Sequence, residues 1–309
     1  MSALTPKYEM PCCYDPDNEY RVVKHKPMYP NLNTTIRLIY FFTLLVGLSL
    51  AGCSGNNIKE PLRKLSRDEI LELKENQRWS LDDVAFETTD HGKATASELE
   101  RFKRGEWAAD YYADGSYNIR SVVIRPATYE DNILAILIKN IGYHPSDKVP
   151  LVSINCDSLE FIIDDLYRLE TEEIKNLLDT TPPDTLDFFD FRRLIIASIE
   201  KDCGLPTLEE HGERSVKVFW AFIQHNEKEQ MAYYYRYIEG LVQSGDLHPE
   251  RLVLVTDRLL VFNDYKQVYG SQIVNGELHP IENPDSVDYR RLEIGLEPLS
   301  EYLERFDLE

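Results

Sequence analysis

The chain has 309 residues, 43% of them hydrophobic and 28% charged, with a formal net charge of −20. That length holds one large or two ordinary domains, and the composition excludes wholesale disorder. The acidic balance argues against nonspecific nucleic-acid binding, which needs a basic footprint, so no nucleic-acid partner is expected.

The first informative stretch is residues 36–52, "IRLIYFFTLLVGLSLAG", followed by Cys53. Its apolar run of about 15 residues is short for a spanning helix, which needs roughly 20, and suits the apolar region of a secretory signal. The run ends in "LAGC", Leu50 to Cys53. This resembles the lipobox of bacterial lipoproteins. The resemblance implies cleavage after Gly52, lipidation of Cys53, and a membrane held through that lipid anchor. The competing reading is an uncleaved anchor with a buried cysteine. Met28 offers an internal start, which would make residues 1–27 an over-extended gene prediction; the alternative is a disordered leader. The expected organisation is therefore 1–53 leader and signal peptide, 54–65 tether, 66–155 an N-terminal α/β region, and 156–309 a helical domain with a β-meander. Beyond Cys53 only Cys156 and Cys203 remain; they could pair, but spacing alone does not decide it.

In chain order, "SRDE" (Ser66 to Glu69) and "SELE" (Ser97 to Glu100) read as capping boxes opening helices. "YNIRSVVIR" (Tyr117 to Arg125) is β-branched and predicts a strand; "VPLVSIN" (Val149 to Asn155) suggests a second. Thr128 to Gly142 predicts a helix with Ile133, Ile136 and Leu137 on its inner face. From Asp157 the pattern is mainly helical: two short acidic-start helices, a "TPPD" break at Thr181 to Asp184, then helices near 186–202, 211–226 and around "MAYYYRYIEGLV". Pro249 opens another helix, at a position where its missing N–H costs nothing. Leu259–Phe262, Gln267–Val274 and Glu277–Ile281 then predict a three-stranded antiparallel meander, with Asn275-Gly276 as a hairpin turn. "LSEYLERF" closes the chain as a helix. The fold class expected is α+β, mainly helical, with the topology of the N-terminal part left open.

Several stretches occur in a recognisable order: "CGLPT" (Cys203 to Thr207), "FWAFIQHN" (Phe219 to Asn226), "TDRLLVFNDYKQVYGSQ" (Thr256 to Gln272) and "PDSVDYRRLEIGLEPLSEY" (Pro284 to Tyr302). Residues 188–302 thereby resemble a bacterial family known only as domain-of-unknown-function family 6624. The family's pattern has Ala-Asp after its Gln-His pair, where Asn226-Glu227 stand, and a glycine before its first amide, where "DYK" stands. The resemblance confers no activity, and residues 66–155 lie outside it.

The block "QVYGSQ" (Gln267 to Gln272) poses the chemical question. On an unbroken strand two side chains five residues apart face opposite sides. A bulge or kink at Gly270 would bring both amides to one side, toward the helix end carrying His225. Two readings follow: paired amides that grip a polar ligand, with Tyr269 re-aimed beside them, or amides that satisfy local backbone. His225, after Gln224, is a candidate general acid or base, or a helix C-terminal histidine complementing the dipole. Asp257 is a second catalytic candidate. Arg258 is a candidate clamp for an anionic group, or a structural arginine capping carbonyls. Arg290-Arg291 reads as a scaffold pair. The candidate ligand-binding set is thus Gln224, Arg258, Gln267, Tyr269 and Gln272. No metal-ligand spacing, phosphate loop or nucleophile elbow is present, so no metal and no cofactor is implied. The expected function is a lipid-anchored cell-envelope protein, facing outside the cytoplasm, that binds an envelope ligand or protein or acts structurally. The alternative is an envelope hydrolase or transferase using a His225, Arg258, Gln267 and Gln272 pocket.

Overall fold

The computed structural model describes residues 61–306, except 83, 91, 178–187 and 275. The leader, the lipobox with Cys53, the "TPPD" break and the Asn of the hairpin turn lie outside the described residues. From Leu62 onward the described chain forms one compact unit. It is mainly helical, with a four-stranded and a two-stranded sheet, and belongs to the α+β class.

The four-stranded sheet is built early in the chain. β1 (Arg63–Lys64), β2 (Ala85–Thr88), β3 (Trp107–Ala113) and β4 (Ile119–Pro126) lie in the order β1-β3-β4-β2. The β3–β4 and β1–β3 pairs are antiparallel, and β2 runs parallel to β4. The expected strand at Tyr117 to Arg125 is β4. Its Ile119, Val122 and Ile124 are buried in a core with Leu65, Ile70, Leu73 and Ala113. The end of the expected tether is corrected: Arg63 and Lys64 pair with Ala113 and Tyr112, and Leu65 is buried.

Helices α1 (Arg67–Glu75), α2 (Ala96–Lys103) and α3 (Tyr129–Lys139) surround this sheet. The Ser66 capping box forms: the Ser66 hydroxyl accepts from the Glu69 N–H, and the Glu69 carboxylate accepts from the Ser66 N–H. The second box is corrected by two residues. Thr95, not Ser97, caps α2, in reciprocal bonds with Glu98. In α3, Ile133, Ile136 and Leu137 are buried as expected. Val149 to Asn155 forms no strand. Its backbone is held by side chains instead: the Val152 and Ile154 N–H groups donate to Ser198 Oγ and Asp202 Oδ2.

The remaining helices are α4 (Leu159–Leu177), α5 (Phe188–Cys203), α6 (Leu208–Gln224), α7 (Lys228–Ser244), α8 (Pro249–Val261), α9 (Val287–Glu293) and α10 (Leu299–Glu304). The two short helices expected after Asp157 are one helix, α4. Gly212 (φ 75°) interrupts α6, so the apolar stripe of Val216, Phe219, Trp220 and Ile223 begins just after it. All four side chains are buried. Two of the tyrosines in the α7 run, Tyr234 and Tyr235, are core residues, as packing requires. Helix α3 packs against α1, α7 and α8, joining the sheet core to the helical core. A disulfide links Cys156 to Cys203, at the C-terminal end of α5.

The three-stranded meander is corrected. Leu259–Val261 is the last turn of α8, not a strand, because the apolar run Leu252 to Leu260 continues at helical spacing and buries Val253, Val255, Leu259 and Leu260. The sheet that remains is a hairpin of β5 (Ile273–Val274) and β6 (Glu277–Leu278), supplemented by one bridge between Gln267 and Ile281.

Candidate functional site

The candidate residues converge around the segment Gln267 to Gln272, which is a folded-back loop. Asp257, in the last turns of α8, is completely buried (0% exposed). Its Oδ1 accepts from the N–H of Val268 (2.8 Å) and Tyr269 (3.2 Å), and its Oδ2 from the N–H of Tyr269 (3.2 Å) and Ser271 (2.9 Å). One carboxylate therefore gathers three loop donors, those of Val268, Tyr269 and Ser271, onto a helix. Burial pushes the Asp257 carboxyl above its ordinary range, against the pull of those donors toward the charged form.

The loop carbonyls are gathered just as completely. Arg290 donates to the carbonyl of Val268 (2.7 Å) and to those of Glu282 and Asn283. Arg291, 1% exposed, donates to the carbonyls of Tyr269 (2.8 Å) and Glu297 (2.6 Å). The Tyr302 hydroxyl donates to the Ser271 carbonyl at 3.2 Å. The arginine pair is thus a scaffold pair: fork-shaped guanidiniums reach several carbonyls at once, which a lysine cannot do.

Gln267 closes the loop. Its Nε2 donates to the carbonyls of Gln272 (3.0 Å) and His279 (2.6 Å), and its Oε1 accepts from the Gln272 N–H (2.7 Å). A side-chain amide here stands in for a strand's backbone amide, which is why a glutamine occupies a fully buried position. Gln272 in turn accepts from Arg258 Nε at 3.2 Å through its Oε1. Arg258 Nη1 donates to the carbonyl of Gln224 at 2.9 Å, at the C-terminal end of α6. The chain Gln267, Gln272, Arg258, Gln224 is therefore continuous and leads to the residue before His225. Of the two amides, that of Gln272 reaches toward that helix end, whereas that of Gln267 is spent on the backbone of Gln272 and His279. Gly270 makes the reversal with φ +77°, and a Cβ built there would lie 2.6 Å from Leu299 Cδ1 and 3.1 Å from Ile281 Cδ1. Glycine is required there twice, for its backbone angle and for its lack of a side chain.

His225 sits at the C-cap of α6, partly exposed, and its carbonyl accepts from Arg192 of α5 at 3.4 Å. Tyr269 is the loop side chain left partly exposed. Its hydroxyl lies 3.4 Å from that of Tyr129, with the rings edge to face at 6.2 Å. Burial pushes both hydroxyls above the ordinary tyrosine range, so both are protonated near neutral pH. Tyr129 belongs to α3, outside the family-like segment, and no local pattern marked it. Tyr302 was equally hidden, inside an ordinary amphipathic helix. Among the described residues, no group of three or more His, Cys, Asp or Glu side chains is placed to hold a metal ion, and no helix is long and apolar enough to cross a membrane.

Fold and site together define an α+β protein whose most elaborate polar construction is a backbone-clamped loop. Residues 193–308, which include every residue of that clamp, match the model of a family of unknown function (DUF6624). No curated protein and no solved structure matches the chain.

Proposed function

We propose that this protein is a lipid-anchored module of the cell envelope that works by binding and not by turning over a substrate. The observation that carries this reading is the commitment of the polar set. Asp257, Arg258, Gln267 and Gln272 are buried, and each bonds to the protein's own backbone or to another member of the set. Groups held this way shape a loop and have little capacity left for a reacting atom. A presentable surface lies next to the clamp: on α9, Tyr289 and Leu292 are 65% and 72% exposed, flanking the clamp residues Arg290 and Arg291. Exposed aromatic and aliphatic side chains beside a rigid element suit recognition of a partner. The lipobox-like "LAGC" supports the anchor on Cys53, and the Cys156–Cys203 disulfide supports an oxidising compartment outside the cytoplasm.

The test uses the full chain expressed in a bacterial host. Mass spectrometry of the membrane fraction should find a mature N-terminus at Cys53 carrying acyl groups, and Cys53→Ser should move the protein out of that fraction. An unmodified Cys53 would overturn the anchor. Incubated with envelope extract, the wild type should retain a component without converting it. A converted product that disappears with His225→Ala would overturn the binding reading.

A further inference from the structure

A second feature lies away from the clamp. Between α1, the end of α3, α5 and α7 there is an open cleft of about 390 Å³. Leu71, Leu137, Ile141 and Leu205 supply apolar wall, and the tyrosines of α7 supply aromatic wall. The size falls at the lower end of small-molecule sites, and the mixture of an apolar wall with a few convergent polar groups is what such sites need.

The polar groups have a common character. Glu200 of α5 presents its carboxylate to the cleft, and Oε1 and Oε2 accept from the hydroxyls of Tyr233 (3.0 Å) and Tyr234 (2.6 Å). The Tyr237 hydroxyl donates to the Pro206 carbonyl at 2.5 Å. Three tyrosine protons are therefore already used. Burial and the nearby Glu200 carboxylate push the Tyr233 and Tyr234 hydroxyls well above the ordinary range, so these protons stay in place. What the wall still offers is acceptor capacity: the remaining lone pairs of the carboxylate and of the phenol oxygens. Tyr143 also lines the cleft, with its hydroxyl buried. Its ring stands edge to face with Tyr233 at 6.3 Å. Nearby cations have carboxylate partners. Arg193 pairs with Asp190 and Glu227, and Arg236, at the rim, lies 3.4 Å from Asp68 and 4.0 Å from Glu75.

An acceptor-rich cleft with a carboxylate among tyrosine rings is matched by a ligand that brings donors and positive charge and asks for no donor in return. We propose that this cleft binds a small organic cation bearing a primary ammonium, with the ammonium on Glu200 and an apolar or hydroxylated body against Leu137, Ile141 and Leu205. The ammonium has three donors for carboxylate and phenol oxygens, and tyrosine faces attract a cation that a neutral isostere would not satisfy. This deepens the binding reading above and rests on it.

The full chain in detergent solution is titrated calorimetrically with two matched pairs at pH 7: cyclohexylammonium against cyclohexanol, and glucosamine against glucose. Each ammonium is expected to bind at least about tenfold more tightly than its neutral counterpart, the scale of a charge-assisted bond. Glu200→Gln should erase that difference, and Leu205→Trp, which puts bulk into the cleft and keeps the Glu200 carboxylate, should abolish binding of both members. Equal affinity for the neutral partner, ammonium binding that survives Leu205→Trp, or no binding by any probe at concentrations on the order of 10 mM overturns the proposal. Conversion of the amine to a product, followed by proton NMR of the same mixture, would overturn the non-catalytic reading and leave the site assignment standing. A failure of the cleft leaves the acyl mass on Cys53 and the retention from envelope extract to be judged separately, since neither uses this cleft.

Discussion

The aspartates around the four-stranded sheet and the buried aspartate of α8 solve the same problem in opposite ways. Asp110, on β3, lies between cations: Arg125 reaches it across the sheet at 2.9 Å and Lys64 at 2.9 Å. Burial pushes its carboxyl up, but those partners outweigh burial and hold it below the ordinary range. Four residues on, Asp114 takes Arg120 and three further donors from Ser116 and Asn118 at the surface turn, and its carboxyl is pulled down to about 2. Asp257 is enclosed by backbone N–H groups, and burial moves it the other way. The sheet aspartates use charge to pin neighbouring strands from outside. Asp257 uses hydrogen-bond geometry to dictate the path of a loop from within. Surface charge pairs are individually weak and replaceable, whereas removing a buried acceptor strands every donor it served.

The largest expected effect breaks the buried half of this comparison. Asp257→Ala leaves the N–H groups of Val268, Tyr269 and Ser271 without an acceptor, and should cost about 4 kcal/mol of unfolding free energy in urea titration. A loss below about 1 kcal/mol would mean that the loop finds other partners readily and that Asp257 does not organise it. Next comes Gly270→Val, expected to cost about 3 kcal/mol from its φ of +77° and its overlap with Leu299. Ser271→Ala at the adjacent position should cost less, about 1 kcal/mol, because its backbone N–H and carbonyl bonds remain and only the contacts of the hydroxyl with Gln272 and Asp257 are lost. Equal effects at the two positions would sink the loop as the source of the requirement for glycine.

The smallest effect sharpens the surface half. The folded Asp114 carboxyl titrates near 2 against an ordinary value of 3.8. Its contribution is therefore complete above about pH 4 and is lost as the pH falls through the folded value. Asp114→Asn should flatten that part of the acid limb in thermal unfolding scans between pH 4 and 2, with little change at pH 7. Asp257 has the opposite sign: a carboxyl raised in the folded state favours folding less as pH rises past the unfolded value.

The same contrast explains what the sequence made legible. Capping at Ser66, the apolar stripe of α6, the scaffold role of Arg290 and Arg291 and the left-handed Gly270 follow from residue types at characteristic spacings. The clamp around Asp257 does not, because its donors are backbone N–H groups, which any residue except proline supplies. Leu259–Phe262 misled because a short apolar run reads alike as strand or helix end. Strand β3, "WAADYYA", was missed because its side chains are nearly all half-buried, so the alternation that marks a strand is blurred. Tyr129 came within reach of Tyr269 through the packing of α3 on α8, a contact 140 positions apart that no local pattern encodes.

The Cys156–Cys203 bond carries a consequence of its own. Its two ends stand 47 positions apart, with α4 and most of α5 between them. A protease that cuts one bond inside that span opens the chain without dividing the molecule. The two fragments stay joined and migrate together until a reductant is added. Damage in that span is thus separated from loss of the clamp, which lies wholly downstream.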